Sequence, residues 1–350
     1  MTGGGGVKEE REEKEETRVA ATGSQARRGR RVRLSTLLNW CLGAALVLLV
    51  IFAYFYLRQR VPKPVEAVVD LGKAVLNVPP SYRRTIYGPA GSPLNRPLMA
   101  AADAERGEIY VSDSATAQIH VFSRDGRWLR RFGQPGRGPG EFDFPMGIAV
   151  RGDRVYVADR ENSRVQIVSR EGKFIGQIPD PQKHPGLVIV PLGVHAGADG
   201  NLYVTSKDNR ILVFDPQDRL LREFGQGGYL PGQFSYPNAV VVDRRGRIWV
   251  ADSNNARLQI LSPDGRRVER EITGFTVPQG MAIDERGRVW VVDPLQHKLY
   301  AYNEEGRLLW EIGERGEDDG QFNFPSGVTT LGGEIFVVDR GNSRMVVFGF

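Results

Sequence analysis

The sequence has very few residues that could crosslink it. Its 350 residues include one cysteine and four histidines, which excludes an intrachain disulfide and a structural zinc cluster of cysteine and histidine. Burial of apolar side chains must therefore stabilise the fold. With 41% hydrophobic and 25% charged residues, the composition is that of a folded protein rather than a disordered or collagen-like chain.

The larger part of the chain also lacks net charge. The whole sequence has a formal charge of +5, but residues 82–350 hold thirty-four basic and thirty-four acidic residues. The excess lies in residues 1–34, with nine basic and six acidic residues, and in residues 58–81, with four and two. Because a balanced domain has no net field to hold a polyanion, we expect no nucleic-acid partner.

Residues 1–81 divide into three segments by composition. Residues 1–34 contain almost no apolar residue, which predicts a disordered, charged tail. Residues 35–57 carry no charge, and Leu37–Leu57 alone could cross a hydrocarbon core of about 30 Å as a helix, so we predict one transmembrane α-helix. Residues 58–81 contain four prolines and are predicted to form a stalk.

A cleaved signal peptide is the competing interpretation of the apolar segment, but no small-residue cleavage site follows it. Charges beside the span predict its orientation. Five arginines precede it within residues 27–33, whereas two arginines and a lysine follow it within residues 58–63. Basic residues favour the cytoplasmic side. We therefore expect a single-pass plasma-membrane protein with a cytoplasmic N-terminus and residues 82–350 outside the cytoplasm.

Residues 82–350 contain six repeats, each of which starts at a proline. Every unit holds four short alternating or β-branched runs separated by turn residues, the pattern of a four-stranded antiparallel sheet. One such sheet cannot bury both of its faces, whereas six arranged around an axis can, so the sequence predicts an all-β, six-bladed β-propeller. The units begin at Pro97, Pro145, Pro191, Pro237, Pro278 and Pro325.

The last unit stops after its third strand. The sequence YRRTIYG at residues 82–88 matches fourth-strand endings such as WLRRFG at residues 128–133. Arg83–Tyr87 is therefore predicted to supply the outer strand of the sixth blade, which closes the ring and removes an exposed edge.

A polar sequence recurs between the second and third strands: VADRENSRVQI at 157–167, VADSNNARLQI at 250–260 and VVDRGNSRMVV at 337–347. These segments resemble the NHL repeat family, especially six-bladed propellers attached to bacterial membrane proteins. The resemblance implies a binding domain, since NHL domains mostly bind proteins, some bind RNA and a few relatives are enzymes. We assign the recurring polar residues a structural role at this turn. They are Asp159, Asn162, Arg164, Asp252, Asn254, Arg257, Asp339, Asn342 and Arg344.

Three linkers between units are rich in glycine: GQPGRGPGEF at 133–142, GQGGYLPGQF at 225–234 and GERGEDDGQF at 313–322. They lead into strands rather than helices, so a phosphate-binding loop is not favoured. Their phenylalanines are predicted to fill apolar gaps between blades.

No catalytic residue, metal or cofactor is predicted. Propeller enzymes usually place their chemistry at the mouth of the central channel, near the start of the innermost strands. The positions after the six prolines include no Asp, Glu or His, and their polar members are Asn238, Gln279 and Ser326. Two amides and a hydroxyl are too few for a calcium site. His195 is the histidine to watch in an inner strand, and a hydrolase or lyase acting at the channel mouth remains an alternative.

The linkers between units and the turns between second and third strands emerge on one face of a propeller, here called the linker face. The other hairpins form the hairpin face, which is expected to carry generic solvated turns. The linker face differs from unit to unit, so we predict that it binds a protein or other extracytoplasmic ligand as a membrane-anchored scaffold. A cytoplasmic-facing RNA- or protein-binding domain is the second alternative. The candidate residues are Arg137, His184, Lys207, Asp208, Tyr229, Leu230, Gln296, His297, Asp318 and Asp319.

Overall fold

Six four-stranded antiparallel sheets are arranged as blades in the computed structural model, which describes residues 78–350. We name the strands of each blade a to d, from the innermost to the outermost. The predicted tail, transmembrane helix and most of the stalk lie outside the described residues. Within residues 78–350, no helix is long and apolar enough to cross a membrane.

The strand bounds follow the repeats of the sequence. Blades one to three are β2 (Pro97–Asp103), β3 (Glu108–Asp113), β4 (Gln118–Ser123) and β5 (Trp128–Phe132); β6 (Pro145–Arg151), β7 (Arg154–Asp159), β8 (Arg164–Ser169) and β9 (Phe174–Ile178); and β10 (Pro191–Ala196), β11 (Leu202–Ser206), β12 (Ile211–Phe214) and β13 (Leu220–Phe224). Blades four and five are β14 (Pro237–Val242), β15 (Ile248–Asp252), β16 (Arg257–Leu261) and β17 (Val268–Thr273); and β18 (Met281–Ile283), β19 (Val289–Asp293), β20 (Lys298–Tyr302) and β21 (Leu308–Ile312). Blade six combines β22 (Pro325–Leu331), β23 (Glu334–Asp339) and β24 (Arg344–Gly349) with β1 (Ser81–Tyr87).

The first described strand closes the ring, as predicted. Strand β1 pairs antiparallel with β24, from Ser81 opposite Gly349 to Tyr87 opposite Arg344. Ile86 packs with apolar side chains of blades six and one in one cluster. Every strand pairing and core cluster of the described residues lies within this ring, and residues 78–350 form one compact unit.

Glycines near the start of the innermost strands allow neighbouring blades to approach closely. A Cβ atom on Gly147 would lie 2.7 Å from the carbonyl oxygen of Leu192 in the next blade. A Cβ atom on Gly193 would lie 2.5 Å from the carbonyl oxygen of Asn238. Such distances exclude any side chain, so glycine here determines how tightly the inner strands surround the channel.

A carboxylate at the end of strand b holds the linker that enters the same blade. In blade two, the amide N–H of Asp143 donates to Asp159 Oδ1 at 2.7 Å. Asp252 and Asp339 accept equivalent bonds in blades four and six. These carboxylates are fully buried. Burial raises the pKa of Asp339, and its hydrogen bonds to the linker amide and to Arg344 oppose that shift.

The asparagine and arginine of the repeat bind the carbonyl groups of the same linker. Asn162 Nδ2 donates to Gly136 O at 2.9 Å, and Arg164 Nη2 donates to Gly138 O at 2.8 Å. Arg164 Nε also pairs with Asp159 Oδ2 at 2.9 Å. The recurring polar residues thus form a clamp, which satisfies backbone groups of the linker that would otherwise be unpaired.

In blade four the structure corrects one predicted member of this clamp. Asn255, and not Asn254, donates to Gly228 O at 2.8 Å and to both oxygens of Asp252. The side chain of Asn254 is exposed, and its backbone N–H bonds to Ser235 O. The two asparagines are adjacent, and only the path of the turn decides which of them points at the linker.

We expect replacement of these two asparagines to have unequal effects. Asn255→Ala removes hydrogen bonds to a buried carboxylate and a linker carbonyl, and should lower the free energy of unfolding by about 1–2 kcal/mol. Asn254→Ala, the matched control, should change it by less than about 0.5 kcal/mol. Urea unfolding of both variants measures the difference, and equal losses would contradict the assignment of Asn255 to the clamp.

His120 is a buried ionisable group in strand c of blade one. Neither of its ring nitrogens has a hydrogen-bond partner among the described residues. Burial, together with the charge of Arg131, lowers its pKa to about 4. The position pairs with Val111, as Leu212 pairs with Val204 in blade three, so an aliphatic side chain is accommodated there.

This histidine makes stability depend on pH. Because its pKa in the folded chain lies below the ordinary value of about 6.5, the unfolded chain binds the proton more tightly and stability falls as the pH drops from 7 to 5. One such group accounts for about 2 kcal/mol over that range. We therefore expect His120→Leu to lose about 2 kcal/mol less than the native chain between these pH values in urea titrations. An unchanged pH dependence would show that His120 is not held neutral.

Candidate functional site: the linker face

The three glycine-rich linkers fold into loops with the same backbone path. In each loop, a glycine amide bonds to the carbonyl of the closing phenylalanine: Gly136 to Phe142 at 3.0 Å in the loop before blade two. The loops before blades four and six repeat this bond at 3.1 and 3.0 Å. All three phenylalanine rings are fully buried, in agreement with the prediction that they fill gaps between blades.

A side chain within each loop bonds to its tip. Glu141 Oε2 accepts from the amide of Gly138 at 2.8 Å, and Gln233 Oε1 accepts from Leu230 at 3.2 Å. Gln321 accepts from Asp318 at 3.1 Å in the third loop. Together with the clamp beneath them, these bonds hold the loop tips in one conformation. A partner that bound here would meet preorganised side chains.

The tips differ in chemistry although their backbones match. Arg137 is exposed on the first loop, Asp318 and Asp319 on the third. The second loop presents Tyr229, which is 76% exposed, and Leu230, which is 53% exposed. One scaffold therefore presents a basic, an apolar and an acidic tip around the linker face.

Blade three adds charged side chains and one exposed aliphatic side chain to the linker face. Lys207 and Asp208 are exposed on its b–c turn, as predicted, and Asp208 pairs with Arg210 at 2.5 Å. Arg210 also donates to the carbonyl of Val188 at 2.9 Å, in the preceding linker. The side chain of Val188 is 69% exposed and was not among the predicted residues. A large aliphatic side chain in an irregular linker was the available signal.

Two histidines of the predicted face are buried rather than exposed. His184 Nδ1 accepts from the amide of Asp180 at 3.0 Å, and its Nε2 lies 2.7 Å from Asp218 O. Since a carbonyl can only accept, Nε2 carries the proton and both nitrogens are occupied. His297 accepts from the amide of Phe324 at 3.2 Å and packs on its ring. Both histidines support the face from beneath.

Gln296 is also engaged within the fold. Its Nε2 donates to Gly274 O at 2.9 Å and to Thr276 Oγ1 at 3.1 Å, in the short linker before blade five. The neighbouring Leu295 is 53% exposed and was missed, because it lies in a turn that departs from the other repeats. Gln296 therefore holds the turn that presents Leu295.

One cleft joins two of the predicted residues. A space of about 580 Å³ lies between the first loop and the irregular linker of blade two, and Arg137, His184, Gln177 and Leu187 are among its lining residues. Since both His184 nitrogens are occupied, Arg137 is the exposed cation at this cleft.

The central channel brings together only part of the predicted mouth. A cavity of about 220 Å³ is lined by the inner strands and includes Asn238, but Gln279 and Ser326 are not among its lining residues. Ser326 is fully buried and donates to Leu98 O at 2.8 Å. Asn238 Nδ2 donates to Ser253 Oγ at 2.8 Å, while its Oδ1 has no hydrogen-bond partner within residues 78–350.

His195 lines the same cavity, among small and aliphatic side chains. Burial lowers its pKa to about 4, although the charge of Asp199 opposes the shift. The imidazole is therefore neutral at pH 7. The lining residues include threonine hydroxyls but no carboxylate. Among residues 78–350, no group of three or more His, Cys, Asp or Glu side chains is placed to hold a metal ion.

Comparison with protein families agrees with the blade assignment. The NHL repeat model matches residues 142–168, 234–261 and 322–348, which belong to blades two, four and six. A model described as a 6-bladed beta-propeller matches residues 102–151. No curated protein matches the chain.

Solved structures share the fold at low sequence identity. A gluconolactonase from Xanthomonas campestris has a TM-score of 0.58 and 12% identity, covering 78% of this chain and 94% of that one. A catalytically inactive virginiamycin B lyase from Staphylococcus aureus, solved with quinupristin, has a TM-score of 0.52 and 16% identity, covering 75% and 83%. A chain of a nidogen/laminin complex has a TM-score of 0.51 and 19% identity, covering 62% and 80%. At such identities the likeness concerns the fold alone. The described part of the chain is a six-bladed β-propeller with NHL repeats in its second, fourth and sixth blades.

Proposed function

We propose that this protein is a membrane-anchored binding module whose propeller lies outside the cytoplasm and binds a partner protein through the linker face. The observation that carries the proposal is the apolar tip of the second loop. Tyr229 and Leu230 are exposed on a backbone that is clamped from beneath, and Val188 lies on the linker before blade three. Exposed tyrosine side chains on rigid supports are typical of interface hot spots, and neighbouring aliphatic side chains add apolar area that a partner can bury.

The different tips support a specific partner. A partner that contacts the linker face would meet a cation at Arg137, apolar groups at Tyr229 and Leu230, and acids at Asp318 and Asp319. Charges of opposite sign on two sides of an apolar contact fix the orientation of a complex. A surface without a binding role would not need three loops that share a backbone path and differ in their tip side chains.

The described chain enters the propeller at the end of blade six that is opposite the linker face. Ser81 pairs with Gly349, which also pairs with Glu334 directly after the last a–b hairpin. The chain thus enters the propeller on the hairpin face, so residues 1–77 are joined on the side away from the loop tips.

The enzyme alternative rests on the channel. Lyase and gluconolactonase structures share this fold, but this channel offers one neutral imidazole and hydroxyl groups without a carboxylate to orient or charge them. The linker face presents exposed apolar and charged side chains on constrained loops. Binding is therefore the function that we propose.

The proposed topology has a direct test. Cys41 is the only cysteine, so a Cys41→Ser chain can carry a single cysteine at the exposed position of Arg137. Intact cells treated with a membrane-impermeant thiol reagent should label this Arg137→Cys chain. Labelling that occurs only after lysis would place the propeller in the cytoplasm and overturn the extracytoplasmic part of the proposal.

Partner binding can be measured by photo-crosslinking in cells. A photoreactive phenylalanine analogue at Tyr229 should give an adduct of defined mass. Leu230→Ser in the same chain should lower its yield about tenfold, since burial of a leucine side chain contributes about 1.5–3 kcal/mol. The analogue placed at Arg106 on the hairpin face is the matched control. An adduct that is insensitive to Leu230→Ser, or one obtained equally from Arg106, would contradict the assignment of the binding face.

A further inference from the structure

The hairpin face was expected to carry only generic solvated turns. Its side chains instead follow a pattern that repeats from blade to blade. Where a c–d hairpin enters strand d, a basic residue is followed by an exposed, large apolar side chain. This occurs in four blades, and we call the set the hairpin rim. Its pairs are Arg127 with Trp128, Lys173 with Phe174, Arg219 with Leu220, and Arg307 with Leu308.

The apolar side chains of the rim are substantially exposed. Trp128 is 36% and Phe174 39% exposed, and Leu308 reaches 52%. Ile175 and Leu221, the next residues in two blades, are 48% and 50% exposed. A recurring set of exposed apolar side chains marks an interaction surface, since isolated examples would be scattered over the whole protein.

Three basic residues of the rim have no ion-pair partner among the described residues, whereas two acids of the same hairpins are paired with the preceding blade. In blade two, Glu171 pairs with Arg106 of blade one at 2.7 Å. In blade five, Glu305 pairs with Arg245 of blade four at 3.0 Å. Among the described residues, no carboxylate lies within ion-pair distance of Arg127, Lys173 or Arg307. Glu171 and Glu305 thus connect neighbouring blades. In blade one, Asp125 accepts from Ser123 Oγ, and this bond together with the charge of Arg127 lowers the pKa of Asp125.

The seam of blade six adds to the same surface. Phe350 is 43% exposed, and the guanidinium of Arg286 lies 5.4 Å from its ring centroid. Arg83 donates to Phe350 O at 2.6 Å. Val78, where the described chain begins, is 59% exposed and precedes β1 of the same blade. Residues 1–77, which include the predicted span, are therefore joined to the domain at the surface that carries the rim.

The geometry points to an anionic lipid bilayer as the occupant of the hairpin rim. A protein partner would require one contiguous apolar centre. The rim instead repeats one cation and one apolar group around the axis, which suits a partner that is the same in every direction. Arg and Lys side chains would lie at lipid phosphates, with Trp, Phe and Leu in the interfacial layer.

Each basic residue near an anionic surface strengthens binding about fivefold. Three unpaired cations, Arg127, Lys173 and Arg307, should together change the affinity about a hundredfold. The attraction should weaken as salt is added, because the charges are exposed. This inference does not require a partner protein at the linker face, and it does not require the predicted helix to be present.

The test uses residues 78–350, which contain every strand pairing of the propeller, and flotation with phosphatidylcholine vesicles that contain or lack phosphatidylglycerol. The domain should float with the anionic vesicles only, and less so at high salt. The triple variant Arg127→Ser, Lys173→Ser, Arg307→Ser should bind about a hundredfold more weakly. Trp128→Ser with Phe174→Ser should weaken binding without removing charge.

The matched control is Tyr229→Ser with Leu230→Ser, which removes apolar surface from the linker face and should float like the native domain. Failure of the native domain to float with anionic vesicles would overturn the proposal, as would equal losses in the control and the rim variants. A dimer in size-exclusion chromatography that Trp128→Ser with Phe174→Ser abolishes, without lipid binding, would assign the rim to a second copy of the chain and also overturn it. Loss of photo-crosslinking at Tyr229 leaves these outcomes unaffected, so the two proposals fail separately.

Discussion

The hydrogen bond between a buried strand-b carboxylate and the amide of the incoming linker is the contact on which the linker face depends. In blades two, four and six, Asp159, Asp252 and Asp339 are fully buried. A buried charge costs free energy unless it is fully paired. Each carboxylate is paired with a linker amide, an asparagine amide and a guanidinium, so a shift of the linker would leave several groups unsatisfied. The loop base is therefore constrained, while the tip can vary in sequence.

The need to satisfy polar groups of the linker also explains why the full polar motif occurs only in alternate blades. Long linkers enter blades two, four and six, and each presents carbonyl groups that the asparagine and arginine of the clamp satisfy. Blade three is entered by a different linker, and Ser206 takes the place of the carboxylate, accepting from the amide of Val190 at 3.1 Å. Blade one keeps Asp113 to accept from Asn95 but has no arginine five residues later. The departures from the motif follow the linkers and need no catalytic explanation.

Local and repeated features were predictable from the sequence. The number of blades, the four strands in each and the closing strand Arg83–Tyr87 all follow from a period of two with turn residues at regular spacing. Burial that depends on neighbouring blades was not predictable. His184 and His297 lie in irregular turns, and only the packing of adjacent segments shows that they are buried. The choice between Asn254 and Asn255 needs the conformation of one turn. The exposure of Trp128 and Phe174 was not predictable either, because alternation does not show whether a large apolar side chain at the start of an outer strand is covered.

The two faces differ because each blade has hairpins at one end and a linker to the next blade at the other end. A c–d hairpin is short and is fixed by pairing with the preceding blade, so its chemistry repeats from blade to blade, as at Arg106 with Glu171 and Arg245 with Glu305. The linkers cross between blades and are held at their bases and, at the tips, through backbone amides, which permits each tip to carry different side chains. A face whose side chains repeat from blade to blade suits a partner that is uniform in every direction. A face whose side chains differ suits one specific partner. Since the chain enters blade six at the hairpin face, the propeller architecture places the start of the domain and its variable loops at opposite ends of the blades.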